Sequence, residues 1–259
     1  MTPAADASPV LLREDRGGIC HLTLNRPAAR NALSADLFLA LDRELASLAA
    51  DPDGIGAVVL QGAGPCFSAG NDIGSLGKPG VLPTPHFQAE VLERIEALPQ
   101  IVIAAVHGHC MTGALELVLA CDLVVAAGSA RFRDSHGELG LLPHWGMTRR
   151  LPAAVGLQQA RRLMYTGDTI DGAEAAAIGL VLCCVPDADL TDTVRGLAER
   201  IVRNAHWTLR HEKAQMLAGR NVGHAEAVRR ERLDSPGRSP DFPDRLQAVL
   251  ARRRPKEPR

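Results

Sequence analysis

The sequence predicts an α/β fold in one large domain. Segments with strand character alternate with segments of helical periodicity along most of the 259 residues, and this alternation is typical of a parallel sheet covered by helices. Two segments, 101–108 and 123–132, are almost entirely apolar, as expected of parallel strands that are buried on both faces. Hydrophobic residues make up 46% and charged residues 23% of the chain, which excludes a disordered protein.

The first half of the chain predicts two strands, each followed by a helix or a loop. Residues 18–25 place apolar side chains at every second position, and residues 56–62 form a short apolar segment; both patterns predict strands. Residues 63–80 are glycine-rich and predict a loop. Ser34 is a suitable N-cap for a helix whose leucines recur every three or four residues. The helical positions are Leu37, Leu41, Leu45 and Leu48, followed in a second helix by Phe87, Val91 and Ile95.

The second half predicts two further strands, at 101–108 and 123–132, and several helices. Asp171 and Glu174 form a capping-box-like start for a helix that Gly179 ends. From about residue 205 the chain has more Arg and Pro and fewer strand signals, which predicts a helical C-terminal region. A solvated tail is the favoured interpretation of the basic residues from 252 onward, with phosphate binding as the alternative. One more helix is marked by Leu190, Val194, Leu197 and Ile201.

Charge and hydropathy exclude several classes of function. A net charge of −1 argues against a nucleic-acid or polybasic membrane surface. No apolar run reaches the roughly 18 residues of a membrane span. The N-terminus lacks the basic start and apolar stretch of a secretory signal, so a cytoplasmic protein is expected.

Aromatic residues are only 3% of the chain, which predicts an aliphatic core. Of the 29 basic residues, 26 are Arg, which we interpret as genome composition.

The six cysteines are predicted to be reduced thiols in apolar surroundings. They form no CxxC pair, and a disulfide framework is typical of short secreted chains. A catalytic thiol is the alternative, although no sequence feature marks a partner base. The positions are Cys20, Cys66, Cys110, Cys121, Cys183 and Cys184.

Two glycine-rich loops share one design, in which an apolar strand ends in a turn that opens into a loop or helix. They read VVLQGAGPCFSAGNDI and IVIAAVHGHCMTGALELVLACD. Glycine lets a ligand approach backbone N–H groups, and a helix N-terminus adds unpaired donors and partial positive charge. Two such ends converging on one point would form an anion pocket that suits the enolate oxygen of an activated acyl group. Either loop alone is equally typical of an ordinary turn between strand and helix.

Taken together and in this order, the motifs resemble the enoyl-CoA hydratase/isomerase (crotonase) superfamily. LNRPAARNAL is similar to the family's N-terminal signature, FSAGNDI to its first oxyanion loop, and HGHCMTGALELVLACD to its second oxyanion loop and helix. SARFRDSHGELGLLPHWGMTRRLPAAVG resembles the segment that carries the second acid/base position, and ARRLMYTGDTIDGAEAAAIGLV the block that follows it. The resemblance covers about residues 10 to 256.

The resemblance implies a crotonase-like spiral of ββα turns in residues 13–204, after a flexible N-terminus in residues 1–12. Residues 205–259 would form a C-terminal helical trimerisation region that builds a homotrimer or homohexamer. The implied ligand is an acyl-CoA thioester whose oxygen lies between the backbone N–H groups of Asn71 and Gly113. Relatives often have Ala at the position of Asn71, but the role belongs to the backbone.

The acid/base positions agree with the family at one residue and depart from it at another. Hydratases of this family use two glutamates to hold and split a water. Glu116 stands at the first position, and a carboxylate in the apolar stretch LELVL is costly unless it is hydrogen-bonded or functional. The second position, four residues before Gly140, is His136. His136 is either an acid/base with an ordinary pKa near neutrality or a residue that orients substrate or fills space, and Glu138 is an alternative acid.

Other polar residues have smaller expected roles. Arg30 lies in the turn with which relatives approach CoA, and Arg is a good phosphate partner. Asp72 is expected to brace its loop, and Trp145 lines the acyl pocket or packs in the core. His107 and His109 have no carboxylate spaced to complete a metal site, so neither a metal nor a cofactor besides the CoA of the substrate is expected. The remaining loop residues expected to line the substrate are Ala69, Gly70 and Ile73.

Three functions follow from these motifs. The first is a hydratase-like lyase of fatty acid metabolism that reversibly adds water to a 2,3-enoyl-CoA to give a 3-hydroxyacyl-CoA. The second keeps the pocket but isomerises, decarboxylates or hydrolyses a carbon–carbon bond of another acyl-CoA, since one fold supports several reactions. The third is a catalytically silent acyl-CoA binder. The presence of Glu116 at the first acid/base position disfavours this function.

Overall fold

The computed structural model describes residues 8–72, 74 and 82–253. Its main feature is a six-stranded sheet in the order β1-β2-β3-β4-β6-β9. Strands β1 and β2 pair antiparallel, and every later pairing in this sheet is parallel. The strands of this sheet are β1 (Leu11–Arg16), β2 (Ile19–Leu24), β3 (Ala57–Gly62), β4 (Ile101–Val106), β6 (Leu123–Ala127) and β9 (Cys183–Val185).

A smaller sheet of three short strands lies beside the first, in the order β5-β7-β8. These strands are β5 (His109–Met111), β7 (Arg131–Arg133) and β8 (Ile170–Asp171). The chain therefore passes twice from a strand of the large sheet to a strand of the small sheet and then into a helix, as where β4 leads through β5 into the helix Gly113–Leu119. This alternation is the spiral of ββα turns expected from the motifs.

Helices fill the connections and form the C-terminal region. The helix expected after Ser34 is confirmed, since the Ser34 side chain accepts the Leu37 N–H, and Asp171 likewise caps α6 through the Glu174 N–H. The described helices are α1 (Ala35–Ala50), α2 (Phe87–Ala97), α3 (Gly113–Leu119), α4 (His136–Leu139), α5 (Met147–Thr166), α6 (Gly172–Ala177), α7 (Leu190–Val202), α8 (His206–Gly219), α9 (His224–Leu233) and α10 (Phe242–Arg253).

One expectation from the sequence is wrong in detail. The segment 123–132 is not one strand, because Gly128 to Ala130 turn the chain from the large sheet into the small one. The sequence places a flexible N-terminus at residues 1–12, and β1 begins within this range, at Leu11. The long helix α5, for which the sequence made no prediction, is interrupted at Gly156, where φ is 77°.

The large sheet is covered on both faces, as its apolar strands predict. Val58 and Val102 belong to a core shared with α1, α2 and α3. Val59 and Ile103, the next residues along the same strands, pack on the opposite face against α7. No helix in the described part of the chain is long and apolar enough to cross a membrane.

Candidate active site

The first loop is held in place by one buried side chain, that of Asn31. Its amide nitrogen donates to the carbonyl oxygens of Ala63 and Cys66, each at 2.8 Å, and its amide oxygen accepts the Arg26 N–H. The backbone of Asn31 is in the left-handed region, with φ at 53°, and Asn tolerates this conformation better than most residues. The turn NRPAARN is therefore a brace for the loop that follows β3.

The two glycine-rich loops are hydrogen-bonded to each other. The Ser68 N–H donates to the His109 carbonyl at 2.9 Å, and the Met111 N–H donates back to the Ser68 carbonyl at 3.3 Å. Gly70 touches the second loop so closely that a Cβ on it would lie 2.4 Å from the Met111 carbonyl oxygen and 3.4 Å from the Gly113 nitrogen. The close approach and a φ of +91° both require glycine at this position.

Asn71 and Gly113 each leave a backbone N–H without an acceptor among the residues that the structure describes. Leu33 pairs with the groups on either side of Asn71, because the Leu33 N–H donates to Gly70 and the Leu33 carbonyl accepts from Asp72. The Asn71 N–H consequently points away from Leu33. Gly113 is the first residue of α3, where the N–H groups have no partner within the helix.

Trp145 packs directly on Gly113. A Cβ on Gly113 would lie 2.5 Å from the indole ring, and the same ring makes an edge contact with Phe38 at a centroid distance of 5.1 Å. Trp145 is therefore a core residue, one of the two roles expected for it, and it also lies against Gly113, one of the two predicted oxyanion donors. Its contact with the acyl group stays a prediction.

Glu116 is buried, with 2% of its surface exposed. Its Oε1 accepts the backbone N–H groups of Trp145 at 2.9 Å and Met147 at 3.1 Å. Its Oε2 faces the imidazole of His136, 3.8 Å from Nε2. Burial raises the pKa of Glu116 above 4.5, against the opposing effect of the two N–H groups and of His136.

His136 lies between two carboxylates. Its Nδ1 is 2.6 Å from Oδ1 of Asp134, and the same oxygen accepts the His136 backbone N–H at 3.1 Å. Burial on its own would lower the pKa of His136, but the hydrogen bond and charge of Asp134, together with the charge of Glu116, raise it above 6.5. Sequence reasoning placed His136 and Glu116 at one site and missed Asp134. The available signal was a carboxylate two residues before a histidine, in DSH.

Glu138 lies outside this cluster. Its carboxylate is exposed and forms an ion pair with Arg133 at the surface. The geometry therefore does not support the alternative in which Glu138 takes the place of the second glutamate.

The remaining predicted residues surround the first loop. Asp72 accepts from Arg26 at 3.0 Å and from the Gly74 N–H at 3.1 Å, the bracing role expected for it. Arg30 is exposed, and its carbonyl accepts the N–H of Ala69, which is half-buried. Ile73 lies outside the described residues.

No group of three metal-ligating side chains occurs in the described ranges. His107 instead contacts the Gly64 carbonyl at 2.9 Å. The described cysteines are all free, and burial raises the pKa of the Cys20 thiol to about 12, which disfavours a reactive thiolate there.

Comparison with known proteins agrees with the family that the sequence motifs resemble. The family model for enoyl-CoA hydratase/isomerase matches residues 14–235. The short-chain-enoyl-CoA hydratase of Clostridium acetobutylicum is 32% identical over 250 residues, which cover 94% of this chain and 95% of the relative.

Solved structures agree as well. The enoyl-CoA hydratase of Bacillus anthracis superposes with a TM-score of 0.88 at 30% identity, over 95% of this chain and 98% of the other. A Thermobifida fusca protein solved in complex with CoA superposes with a TM-score of 0.78 at 29% identity, over 94% and 95% of the two chains.

Proposed function

Because the chain belongs to the enoyl-CoA hydratase/isomerase family and is an enzyme of the hydratase type, we propose that it adds water reversibly to a 2,3-enoyl-CoA to give a 3-hydroxyacyl-CoA. The observation that carries this proposal is the distance of 3.8 Å between Glu116 Oε2 and His136 Nε2. These two groups can both contact one water, as a hydratase requires, and a carboxylate and an imidazole are common general acids and bases.

The thioester oxygen would accept the N–H groups of Asn71 and Gly113. When water adds to the β-carbon, negative charge moves onto this oxygen as the enolate forms. Donors that are already in place, as the hydrogen bonds between the two loops hold these, stabilise that charge without reorganisation. The Trp145 ring on Gly113 helps to exclude water from this position.

The proton transfers balance between the two side chains. The Glu116 carboxylate takes one proton from the water while the water oxygen bonds to the β-carbon. Protonated His136 gives its Nε2 proton to the α-carbon, and the electron pair of the enolate forms the new C–H bond. One proton then passes from Glu116 to His136 and restores the starting state, so the cycle consumes only water and the enoyl thioester.

CoA recognition belongs to the surface around the first loop. Arg30 is exposed there, beside the loop that carries Asn71, and a guanidinium is suited to the phosphates of CoA. The substrate would supply CoA itself, so no further cofactor is proposed. The Thermobifida fusca structure, which was solved in complex with CoA, supports a CoA thioester as the ligand.

We also propose a homotrimer or homohexamer built through the C-terminal helices. Several large apolar side chains on α8, α9 and α10 are exposed in the single chain, and apolar surface of this kind is typical of subunit interfaces. Light scattering on the purified protein would measure the mass of the assembly, and a monomer would contradict the proposal. The exposed residues are Met216, Val228, Leu233, Leu246, Val249 and Leu250.

Crotonyl-CoA hydration by wild-type protein and by Glu116→Gln tests the reaction. We expect the substitution to lower kcat at least about 10²-fold, the usual contribution of a general acid/base group. Glu138→Gln is the matched control and should retain wild-type activity, because its carboxylate is paired at the surface. Tight binding of CoA esters without turnover would favour a silent binder, and carbon dioxide release from a malonyl-type ester would favour a decarboxylase.

A further inference from the structure

We propose that Asp134 is the positioning residue of the site: its carboxylate holds the imidazole proton on Nδ1 of His136 and so keeps Nε2 facing Glu116. The role of His136 in this proposal rests on the proposed function. Asp134 contacts the Nδ1 side of the imidazole, whereas Glu116 faces the Nε2 side. Asp134 therefore acts on the reaction through His136.

The contacts of Asp134 are directed at one side of the imidazole. A single oxygen, Oδ1, accepts both the backbone N–H of His136 at 3.1 Å and the ring Nδ1 at 2.6 Å. The backbone contact fixes where the oxygen lies, and the ring contact then fixes the orientation of the imidazole. A carboxylate can only accept, so Nδ1 must carry the proton. In the neutral ring, Nε2 is consequently the site that gains or loses a proton.

The burial of Asp134 supports a specific role. Only 1% of its surface is exposed, and a buried carboxylate is costly unless charge or hydrogen bonds compensate it. The compensation comes from His136, which suits a protonated imidazole between Asp134 on one side and Glu116 on the other.

The segment that carries Asp134 is also tied to the oxyanion turn. The Thr112 N–H donates to the carbonyl of Arg133 at 2.8 Å, and the hydroxyls of Thr112 and Ser135 are 2.6 Å apart. Thr112 directly precedes Gly113 and has φ at 50°, a conformation that such contacts are needed to maintain. The residues on both sides of Asp134 therefore fix its position relative to Gly113 and Glu116.

The charges around His136 determine the sign of the expected effect. Asp134 precedes α4 and Glu116 belongs to α3, and these two carboxylates are the described groups whose charge acts on the ring. Arg133 and Glu138 are close in sequence but pair with each other at the surface. Burial lowers the pKa of His136, and without the charge of Asp134 only Glu116 opposes that effect. The pKa of His136 should therefore fall, and the ring should lose its proton at lower pH.

Nuclear magnetic resonance on isotope-labelled protein tests this without substrate. In wild type, the neutral ring of His136 should carry its proton on Nδ1, and its pKa should lie above 6.5. In Asp134→Asn, the pKa should fall by at least about one unit, as expected for the loss of an adjacent opposite charge. The signal of His136 is assigned by its disappearance in His136→Gln. A neutral wild-type ring protonated on Nε2, or an unchanged pKa in Asp134→Asn, would overturn the proposal.

Kinetics provide the second readout. Asp134→Asn should lower kcat for crotonyl-CoA hydration by about 10²-fold, the scale of a misplaced general acid, with little change in KM. The alkaline limb of the pH profile should move to lower pH. Asp134→Glu keeps the charge and should restore part of the activity and the high pKa, while Glu138→Gln should change neither. An Asp134→Asn enzyme with unaltered kcat and pH profile would contradict the role.

The two proposals can fail separately. If wild-type protein does not hydrate crotonyl-CoA but the pKa of His136 depends on Asp134, the hydratase assignment fails and the positioning contact stands. If hydration is intact and neither the pKa nor the alkaline limb responds to Asp134→Asn, the positioning role fails alone. Thermal unfolding of each variant identifies a loss of activity that is caused by misfolding.

Discussion

Glu116 offers one carboxylate oxygen to the backbone and turns the other toward His136. The two N–H groups on Oε1 hold the side chain in a single orientation, and burial raises its pKa above 4.5. On the facing residue, Asp134 and Glu116 together outweigh burial and raise the pKa of His136 above 6.5. The two carboxylates therefore favour a protonated His136. Burial opposes the ionised form of Glu116, while the two N–H groups and His136 favour it, and the proposed hydration uses both residues in their charged forms.

These directions predict a bell-shaped dependence of kcat/KM on pH. Activity should fall with decreasing pH as Glu116 gains a proton, at a pKa above 4.5. It should fall with increasing pH as His136 loses its proton, at a pKa above 6.5. Initial rates with crotonyl-CoA below saturation measure both limbs. His136→Gln should abolish the alkaline limb, whereas a wild-type rate that stays constant through the alkaline range would show that His136 is not the acid.

At the same scale, the sequence could predict Glu116 and His136 but not Asp134. Glu116 stands out because it is charged within an apolar helix, and His136 because the motif register counts back to it from Gly140. Asp134 directly follows a three-residue strand, and no periodicity indicates on which side its carboxylate lies. Only the turn from β7 into α4 places Asp134 inward and Glu138 at the surface.

At the scale of elements, strands and caps were more predictable than turns and broken helices. Apolar segments identified β3 and β4, and side-chain caps identified the starts of α1 and α6. The turn at Gly128 joins two strands of similar composition, so periodicity alone merges them. In α5, Pro152 lies within the helix and Gly156 interrupts it. Both residues obscure the regular spacing of apolar residues by which a long helix is recognised.

The turn around Asn31 is the element that holds the loop after β3, which carries Asn71. Asn31→Ala would leave the carbonyls of Ala63 and Cys66 without their donor and would place Ala in a left-handed conformation. We expect the free energy of unfolding to fall by about 2–4 kcal/mol, since unsatisfied buried groups cost about 1–3 kcal/mol each. Urea denaturation measures the stability, and kcat should fall as well because the loop that carries Asn71 loses its brace.

Asn25→Ala is a matched control for this prediction. Asn25 lies in the same region, and its side chain donates one hydrogen bond, to the Pro9 carbonyl at 2.8 Å. Its loss should cost about 1 kcal/mol, the net value of an ordinary hydrogen bond, with hydration activity retained. Equal effects of the two substitutions on activity would contradict a specific role for Asn31.

At the scale of the whole molecule, the helices on the two faces of the large sheet belong to different parts of the chain. One face packs against α1, α2 and α3, next to the site, and the other packs against α7. The low aromatic content agrees with this arrangement, since the strands contribute mainly Val, Ile, Leu and Ala to both faces. The family motifs predicted this spiral because they occur in register along most of the chain. The attachment of the C-terminal helices had no motif and could not be predicted.

Lys213 of α8 contributes a partly buried ion pair to that attachment. Its ammonium donates to the Gln100 carbonyl at 3.0 Å and to Asp122 Oδ2 at 2.7 Å, and the same carboxylate oxygen accepts the Val102 N–H at the start of the buried strand β4. The Lys213 side chain is 7% exposed and that of Asp122 25%. The ion pair is therefore intermediate between a buried pair, whose disruption costs about 3–5 kcal/mol, and a surface pair, worth at most about 1 kcal/mol.

Lys213→Met should consequently lower the free energy of unfolding by about 2 kcal/mol. The loss should shrink at acidic pH, because burial raises the pKa of Asp122 while Lys213 opposes that effect, so without Lys213 the carboxyl group accepts a proton more readily. Adding Asp122→Asn, which still accepts the Val102 N–H, should recover part of the stability. A double-mutant cycle by urea denaturation measures the coupling. Strictly additive effects would mean that Lys213 and Asp122 do not stabilise each other, which would contradict a stabilising ion pair between α8 and the sheet.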